Sequence, residues 1–309
     1  MKIPIIMDCD PGHDDAIAMI MALASEKLEV KAVTTVSGNQ TSEKTLHNAL
    51  KILSFVGFRD IPVAAGASRP LVRDLEIAPQ VHGDSGLDGP ELPEPDFSAS
   101  EKSAVELMQE IIMSSPEKIT LVPTGPLTNI ASLLITAPEV KENIERISLM
   151  GGAAVGGNWT PAAEFNIMVD PEAADIVFRS GIPITMCGLD VTHKAQIFDD
   201  EIEEIRQMGG RVPVMVAELF DFFARFHKTL GFEGSPLHDP CAVAWLIDPG
   251  MFSSEHLHVD IETCGEYTDG ATVVDIRGAT GRKKNVDVVF DVDRERFVQL
   301  LYRSLQQYS

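Results

Sequence analysis

The sequence predicts an α/β fold in which an open, mostly parallel sheet is flanked by helices, with additional β-structure near the C-terminus. Short apolar, β-compatible stretches alternate with longer helical patterns along the chain, as in proteins with a parallel sheet. The first stretch, residues 3–7, is continuously apolar, which is typical of a strand buried on both faces. A polar turn and then a helix follow this strand and several later ones. These observations together indicate a Rossmann-like core.

The predicted elements alternate along most of the chain. The predicted strands cover residues 3–7, 28–36, 61–65, 119–123, 147–150 and 182–187, with 256–261, 272–276 and 287–292 near the C-terminus. The predicted helices cover residues 14–23, 41–56, 104–113, 124–134, 171–180, 199–227 and 294–305, and a further helix starts at residues 238 and 239 in the stretch 237–247. No linker, internal repeat or low-complexity block interrupts this pattern, so we expect one domain that spans residues 1–309.

The composition is that of a globular protein with a strong negative charge. The chain has 309 residues, of which 44% are hydrophobic, and its 47 Asp and Glu against 25 Lys and Arg give a formal net charge of -22. This charge argues against nucleic acid or an anionic membrane as a partner and favours a small neutral substrate. Because no stretch resembles a membrane-spanning helix or a secretion signal, we expect a cytoplasmic protein. A zinc site or disulfide framework is not expected, since the cysteines are far apart: Cys9, Cys187, Cys241 and Cys264.

Four aspartates stand where the first predicted strand ends and the first helix begins. Asp8, Asp10, Asp14 and Asp15 lie close together in the sequence, and ligands of open α/β sheets bind at this end of a strand. A helix N-terminus supplies only about half a unit of positive charge, so the cluster needs a further partner. One interpretation is a hard cation with oxygen ligands, Ca²⁺ or Mg²⁺. The alternative is a solvated acidic turn in which Asp14 caps the helix.

Other candidate residues follow later strands or lie in irregular stretches. Asn39 follows the second strand, where it could cap the next helix or face the same crevice as Asp10. His82 lies in residues 69–98, a stretch rich in Gly and Pro that is either a mobile lid or a series of plain turns. The glycines of residues 151–157 match neither GxGxxG nor GxxxxGKS/T, so we reject a phosphate-binding loop.

Residues 158–166 combine polar and aromatic side chains. Asn158, Glu164 and Asn166 are interspersed with Trp159 and Phe165, a mixture that suits a sugar and an attached ring. The alternative is a surface loop in which the polar side chains only cap turns.

Two later stretches contain histidines next to predicted helices. Phe226 and His227 stand at the end of an amphipathic helical pattern that is rich in aromatic residues. Such aromatic residues usually belong to the core, but the end that carries Phe226 and His227 could instead close over a base. His238 and Asp239 stand at a helix start, as Asp14 does, although such a pair alone is weak evidence for a site.

Eight motifs, taken in order, resemble those of one enzyme family. They are DCDPGHDDA, GNQT, HGDSGLDGP, PTGPLTN, MGGA, NWTPAAEFNI, DPEAA and LHDP. The chain resembles the inosine-uridine preferring nucleoside hydrolases, and most closely the bacterial pyrimidine-specific ribonucleoside hydrolases. The likeness runs from residue 5 to about residue 240, and the rest of the chain carries little of it.

The resemblance implies a metal-dependent N-glycosidase that splits a ribonucleoside into ribose and free base. The implied Ca²⁺ ligands are the carboxylates of Asp10, Asp15 and Asp239 and the main-chain carbonyl of Thr124. Asp10 is also the implied general base for the attacking water. Asp8 has no implied contact with the ion and is expected to lie behind its ligands.

The resemblance also implies the substrate contacts. Ribose hydroxyls are assigned to Asp14, Asn39, Glu164 and Asn166, the 5′-hydroxyl to Asn158, and a further substrate contact to Phe165. His238 is the best candidate to give the leaving base a proton or to contact it, with His82 and His227 as further candidates, because histidine titrates near neutral pH. The pyrimidine preference is implied by the overall likeness and not by a particular residue.

The leading hypothesis is therefore a Ca²⁺-dependent hydrolase of uridine and cytidine that forms a homo-oligomer, either a dimer or a tetramer. A broad-specificity or purine-preferring hydrolase with the same residues is the first alternative. A Mg²⁺-dependent phosphatase with an aspartyl nucleophile also begins with DxD after a strand, but it expects DGT or DGV where this chain has DPG. A non-catalytic nucleoside-binding or calcium-binding protein is the third hypothesis, and it would be marked by loss of Asp10 or another metal ligand.

Overall fold

The computed structural model describes residues 2–309 and has an eight-stranded sheet at its centre. The strands are β1 (Ile3–Cys9), β2 (Leu28–Thr35), β3 (Val63–Ala65), β4 (Ile119–Pro123), β5 (Ile144–Met150), β6 (Ile184–Cys187), β7 (Gln196–Ile197), β8 (Ser235–Pro236), β9 (Phe252–Leu257), β10 (Val259–Ile261), β11 (Thr272–Val274) and β12 (Val286–Val292). The helices are α1 (His13–Ala24), α2 (Ser42–Val56), α3 (Pro79–His82), α4 (Ala104–Ser114), α5 (Thr128–Thr136), α6 (Phe165–Val169), α7 (Pro171–Phe178), α8 (Leu189–Thr192), α9 (Asp199–Gln207), α10 (Arg211–Thr229), α11 (Asp239–Ile247) and α12 (Arg294–Gln306). Two 3₁₀ helices cover Pro138–Asn143 and Pro249–Met251.

The central sheet is mostly parallel. Its strand order is β3-β2-β1-β4-β5-β6-β12-β9, in which β9 pairs antiparallel with β12 and the other neighbours are parallel. Two small antiparallel sheets, β7 with β8 and β10 with β11, lie outside it. The predicted α/β class is confirmed, including the additional β-structure near the C-terminus.

The strand order reverses next to β1. The chain adds β2 and β3 on one side of β1 and then crosses over to add β4, β5 and β6 on the other side. The carboxyl ends of β1 and β4 therefore border a crevice. In open sheets of this kind, ligands bind at the point where the strand order reverses.

Each face of the sheet has its own apolar layer. Along β1, Ile5 and Met7 pack into the layer that contains α1 and α11, whereas Ile6 packs into the layer that contains α4 and α5. Side chains of a strand alternate between faces, so the apolar run of residues 3–7 supplies both layers. This burial on both faces is the arrangement predicted for the first strand.

Several predicted elements differ from the structure. The strand predicted over residues 256–261 is divided between β9, which ends at Leu257, and β10, which begins at Val259 and belongs to another sheet, and the helix predicted over residues 124–134 begins only at Thr128. The continuous helix predicted over residues 199–227 is wrong, because α9 ends before Gly209 and Gly210, which have φ values of 71° and 76°. This left-handed conformation ends a helix and is favourable for glycine. The stretch of residues 69–98 contains the short helix α3, which was not predicted. Among the described residues, no helix has the length and apolar character needed to cross a membrane.

Candidate active site

A cavity of about 560 Å³ lies at the carboxyl edge of the sheet. Two of the predicted site residues, Asp10 and Asp15, are fully buried behind the cavity wall. Each accepts a hydrogen bond from Asn39, which lines the cavity. All of the other predicted site residues line the cavity: Asp14, Asn39, His82, Thr124, Asn158, Glu164, Phe165, Asn166, His227, His238 and Asp239.

Three buried aspartates form a cluster at this cavity. One carboxylate oxygen from each of Asp14, Asp15 and Asp239 lies within 4.8 Å of the others. Asp14 and Asp15 are in the first turn of α1 and Asp239 begins α11, so two helix N-termini meet here. Burial and the neighbouring carboxylates raise the pKa of Asp239 well above its usual range and that of Asp14 to about 7. The solvated acidic turn capped by Asp14 is therefore wrong, because these carboxylates are buried and α1 begins after Gly12.

Asp15 is held by donors from three separate segments. Its Oδ1 accepts a hydrogen bond from the Thr124 hydroxyl at 2.7 Å, and its Oδ2 accepts from the Gly12 N–H at 3.0 Å and the Asn39 side chain at 3.2 Å. The carbonyl of Thr124 in turn accepts from the Asn166 side chain at 2.7 Å. These bonds fix the orientation of Asp15 and link the turns that follow β1, β2 and β4.

Asp10 is buried beside this cluster, and one of its oxygens lacks a donor. Its Oδ2 accepts from the Asn39 N–H at 2.7 Å, whereas its Oδ1 has no hydrogen-bond partner among residues 2–309. Burial and the charge of Asp15 raise the pKa of Asp10 well above its usual range. A buried carboxylate oxygen without a donor is costly. The three-carboxylate cluster contains Asp14 and not Asp10, which differs from the predicted ligand set, and its oxygens are of the kind that a hard cation prefers.

Glu164 and Asn158 both line the cavity and shape the loop before α6. The Glu164 carboxylate caps α6 by accepting from the Asn166 N–H at 3.0 Å, and it also accepts from the Gly152 N–H at 2.9 Å. Asn158 Oδ1 accepts from the Phe165 N–H at 3.0 Å. Glu164 and Asn158 therefore bond to the main chain of this loop and also line the cavity, so the two interpretations of residues 158–166 are compatible. Burial raises the pKa of Glu164.

Imidazole and phenyl rings form another part of the cavity wall. The Nδ1 of His238 lies 2.9 Å from the Thr192 hydroxyl, and the ring centroids of His227 and Phe223 are 4.4 Å apart. Burial lowers the pKa of His238 well below 6.5 and that of His227 to about 4. These imidazoles are therefore neutral at physiological pH.

Two further histidines near the cavity were not predicted. The Nδ1 of His13 lies 3.1 Å from the Nδ1 of His82, and the His13 Nε2 lies 2.8 Å from the carbonyl oxygen of Asp88. His193 lines the cavity, with its ring centroid 5.8 Å from that of His238. The position of His193 soon after a strand end is a signal that could have identified it, whereas the pairing of His13 with His82 depends on the tertiary fold.

A comparison with known families agrees with this geometry. A family model described as inosine-uridine preferring nucleoside hydrolase matches residues 5–299. The chain belongs to this family. The predicted nucleoside hydrolase identity is therefore confirmed, and the match extends past residue 240, where the motifs carried little information. The members of this family are metal-dependent ribonucleoside hydrolases.

Individual relatives align with all or nearly all of this nucleoside hydrolase. Proteins named pyrimidine-specific ribonucleoside hydrolase RihA from Photobacterium profundum and Citrobacter koseri are 61% and 56% identical to it, with 100% of each chain covered. A solved purine-preferring ribonucleoside hydrolase from Gardnerella vaginalis has a TM-score of 0.93 at 34% identity and covers 99% of this chain and 98% of its own. The plant nucleoside hydrolase PpNRh1 has a TM-score of 0.92 at 33% identity, with 99% of both chains covered. The fold is thus the same along the whole length.

The contact between Gly125 and Asp10 leads to a testable prediction. A Cβ on Gly125 would lie 2.5 Å from Asp10 Oδ1, so we expect Gly125→Ala to displace this carboxylate. The nucleoside hydrolase activity should fall by about 100-fold, because a misplacement of about 1 Å can have that effect. The measurement is kcat for ribose release, with thermal unfolding to confirm that the variant is folded.

Gly250→Ala provides the matched control for this prediction. A Cβ there would meet nothing closer than 3.4 Å, and Gly250 is exposed. We expect it to keep the wild-type rate. A Gly125→Ala variant that is equally active would show that Asp10 is not confined by the backbone.

Proposed function

We propose that this nucleoside hydrolase cleaves the N-glycosidic bond of ribonucleosides, with uridine and cytidine preferred, and releases ribose and the free base. The observation that carries the proposal is that one cavity combines buried carboxylates and amides with neutral imidazole and phenyl rings. The first group suits a ribose that develops positive charge, and the second suits a leaving base. The pyrimidine-specific names of relatives that are 61%, 59% and 56% identical support the choice of base.

We propose Ca²⁺ as the resident cation. Asp10, Asp15 and Asp239 would hold it with carboxylate oxygens and Thr124 with its main-chain carbonyl, a set of ligands of the kind that Ca²⁺ prefers. When bound, the cation would keep these carboxylates ionised and make a coordinated water more acidic. Asp14 belongs to the same cluster, and we assign it to the ribose hydroxyls at the edge of the metal site.

Asp10 is the proposed general base. Its Oδ1 has no donor among the described residues, so a lone pair is available for a proton of the attacking water. The Asn39 N–H on Oδ2 and the Gly125 backbone next to Oδ1 restrict the side chain to one orientation. A positioned general base contributes about 10²- to 10⁴-fold to a rate.

The proposed ribose contacts are polar side chains that the fold already holds in place. Positive charge develops on the ribose as the glycosidic bond breaks, and nearby acceptor oxygens stabilise it. Phe165 packs edge-on against Trp159, with 4.8 Å between ring centroids, and gives this region an apolar border. The side chains assigned to the ribose hydroxyls are Asp14, Asn39, Glu164 and Asn166, with Asn158 assigned to the 5′-hydroxyl.

His238 is the proposed donor to the leaving base. The Thr192 hydroxyl occupies its Nδ1, which leaves Nε2 for the base. A neutral imidazole donates from one ring nitrogen without first gaining a proton, so the lowered pKa of His238 is compatible with this role. We assign His82 and His227 to contacts with the base.

An aspartyl phosphatase is not favoured by the surroundings of Asp8. The nucleophile of such an enzyme would be the first aspartate of DxD, which is Asp8 here. This carboxylate is 1% exposed, and its hydrogen-bond partners Thr34 and Asn129 do not line the cavity. Asp10, by contrast, is bonded to Asn39, which does line it. Asp8 therefore lies farther behind the cavity wall than Asp10.

We also propose that the protein is a cytoplasmic homo-oligomer, a dimer or a tetramer, in which residues 1–309 form one domain. The resemblance to family members that assemble in these ways supports the oligomer. Light scattering by the purified protein measures its mass, and a monomer at micromolar concentration would contradict the proposal.

The substrate preference and the metal are tested together by ribose release. We expect purified protein to release reducing sugar from uridine and cytidine much faster than from inosine and adenosine. Exhaustive chelation should abolish the activity and added Ca²⁺ should restore it, since the carboxylates repel each other without a cation. Equal rates on inosine would support the broad-specificity alternative. Absence of ribose from all four, with metal bound, would favour a non-catalytic binding protein.

The assignment of Asp10 is tested by Asp10→Asn. We expect a loss of about 10²- to 10⁴-fold in kcat on uridine, because the amide cannot accept the proton. The fold should be retained, since the amide oxygen can still accept the Asn39 N–H. The measurements are kcat, calorimetric Kd for uridine, thermal unfolding and metal content. A fully loaded variant with a near wild-type kcat would rule out Asp10 as the base.

The assignment of His238 is tested by comparing two leaving groups. We expect His238→Ala to lower kcat on uridine by about 100-fold, but to affect an activated 4-nitrophenyl riboside much less, because that group leaves without proton transfer. His193→Ala removes a neighbouring imidazole of the same wall and is the matched control. Equal losses on both substrates in His238→Ala would argue against assistance to the leaving group.

A further inference from the structure

The two ring nitrogens of His227 are in different situations. His227 lies on α10, lines the cavity and is 4% exposed. Its Nδ1 lies 3.2 Å from the carbonyl oxygen of Phe223, one turn earlier on the same helix. A carbonyl oxygen can only accept a hydrogen bond, so the ring hydrogen is on Nδ1. This is the one hydrogen bond that the residues described here provide to the ring.

The surroundings of His227 keep the imidazole neutral. The rings of Phe223, Phe226 and Phe232 lie around it, with centroid distances of 4.4, 5.6 and 5.7 Å. Burial, with a smaller contribution from the neighbouring His193, lowers the pKa of His227 to about 4. A neutral imidazole with its hydrogen on Nδ1 has a lone pair on Nε2. His227 is therefore an acceptor, and not a donor, toward any group that meets Nε2.

We propose that the Nε2 of His227 accepts a hydrogen bond from an N–H group on the edge of the nucleobase. Uracil offers the hydrogen on N3 and cytosine offers its exocyclic amino group, so both proposed substrates have a suitable donor. The inference rests on the proposed function and specifies the base contact already assigned to His227: its Nε2 is an acceptor, a role distinct from the donor role of His238. A buried acceptor discriminates against a ligand that lacks the donor, because it loses water without gaining a partner.

The substrate that tests this contact is 3-methyluridine, in which a methyl group replaces the hydrogen on N3. We expect wild-type kcat/KM to be about 10- to 100-fold lower for 3-methyluridine than for uridine. In His227→Phe the two values should differ by less than about 3-fold, because the acceptor is lost for both substrates. The phenyl ring keeps the bulk of the imidazole, so a purely steric effect of the methyl group would persist in this variant.

Two further variants make the comparison specific. His227→Gln carries an amide oxygen at the distance of Nε2 along the side chain, and it should recover a preference of about 10-fold for uridine. Lys228→Gln, the next residue of α10, removes an exposed ion pair with Asp199 at 2.8 Å and should keep the wild-type ratio. Thermal unfolding of each variant reports whether it is folded.

The proposal is overturned if the wild type uses uridine and 3-methyluridine equally well, or if His227→Phe keeps the full preference. Failure of the proposed function is a separate result, namely no ribose from uridine by the metal-loaded wild type. In that event, calorimetry can measure the Kd of uridine and of 3-methyluridine for the wild type and for His227→Phe. These Kd values then test whether His227 contacts the base. A Kd ratio that disappears in His227→Phe supports the contact, and an unchanged ratio rejects it.

Discussion

The site depends on the repulsion among four buried carboxylates, those of Asp10, Asp14, Asp15 and Asp239. Within residues 2–309 no Lys or Arg lines the cavity next to them, so peptide and amide dipoles are the opposing charges. The N-termini of α1 and α11 each contribute about half a unit of charge. This is too little for four anions in a low dielectric, and their pKa values are raised in response. In the function we propose, a divalent cation would supply the missing charge and would allow the same carboxylates to act as ligands and as a base.

Side chains at the site are confined because the main chain approaches them closely at two glycines, Gly12 and Gly125. Neither Gly12 nor Gly125 has a left-handed conformation, yet both lack room for a Cβ. A Cβ on Gly12 would lie 2.5 Å from His82 Nδ1, and a Cβ on Gly125 would lie 2.5 Å from Asp10 Oδ1. The glycines of DPG and TGP are therefore required for packing against the side chains of His82 and Asp10. This is a different requirement from that of Gly209 and Gly210, which end a helix.

The sequence could predict that certain residues meet at one edge of the sheet because they directly follow a strand. Asp10 and Asn39 follow strands of a predicted parallel sheet, whose carboxyl ends lie at one edge, and Thr124, which only the resemblance implied, follows β4. The sequence was insufficient where a contact joins remote segments without such a rule. His13 and His82 are 69 residues apart, and their pairing depends on how residues 69–98 fold back over α1. The break between α9 and α10 was missed because apolar periodicity continues on both sides of the two glycines.

Burial shifts the pKa values of the two kinds of titratable group in the cavity in opposite directions, and in both cases it favours the neutral form. It raises the pKa values of the carboxylates and lowers those of the imidazoles. A bound cation reverses only the first effect, because it stabilises negative charge. The ion-loaded site would then hold anions where the ribose becomes positive and neutral rings where the base departs. Neutral rings allow one histidine to donate and another to accept, which a cluster of imidazolium ions could not do.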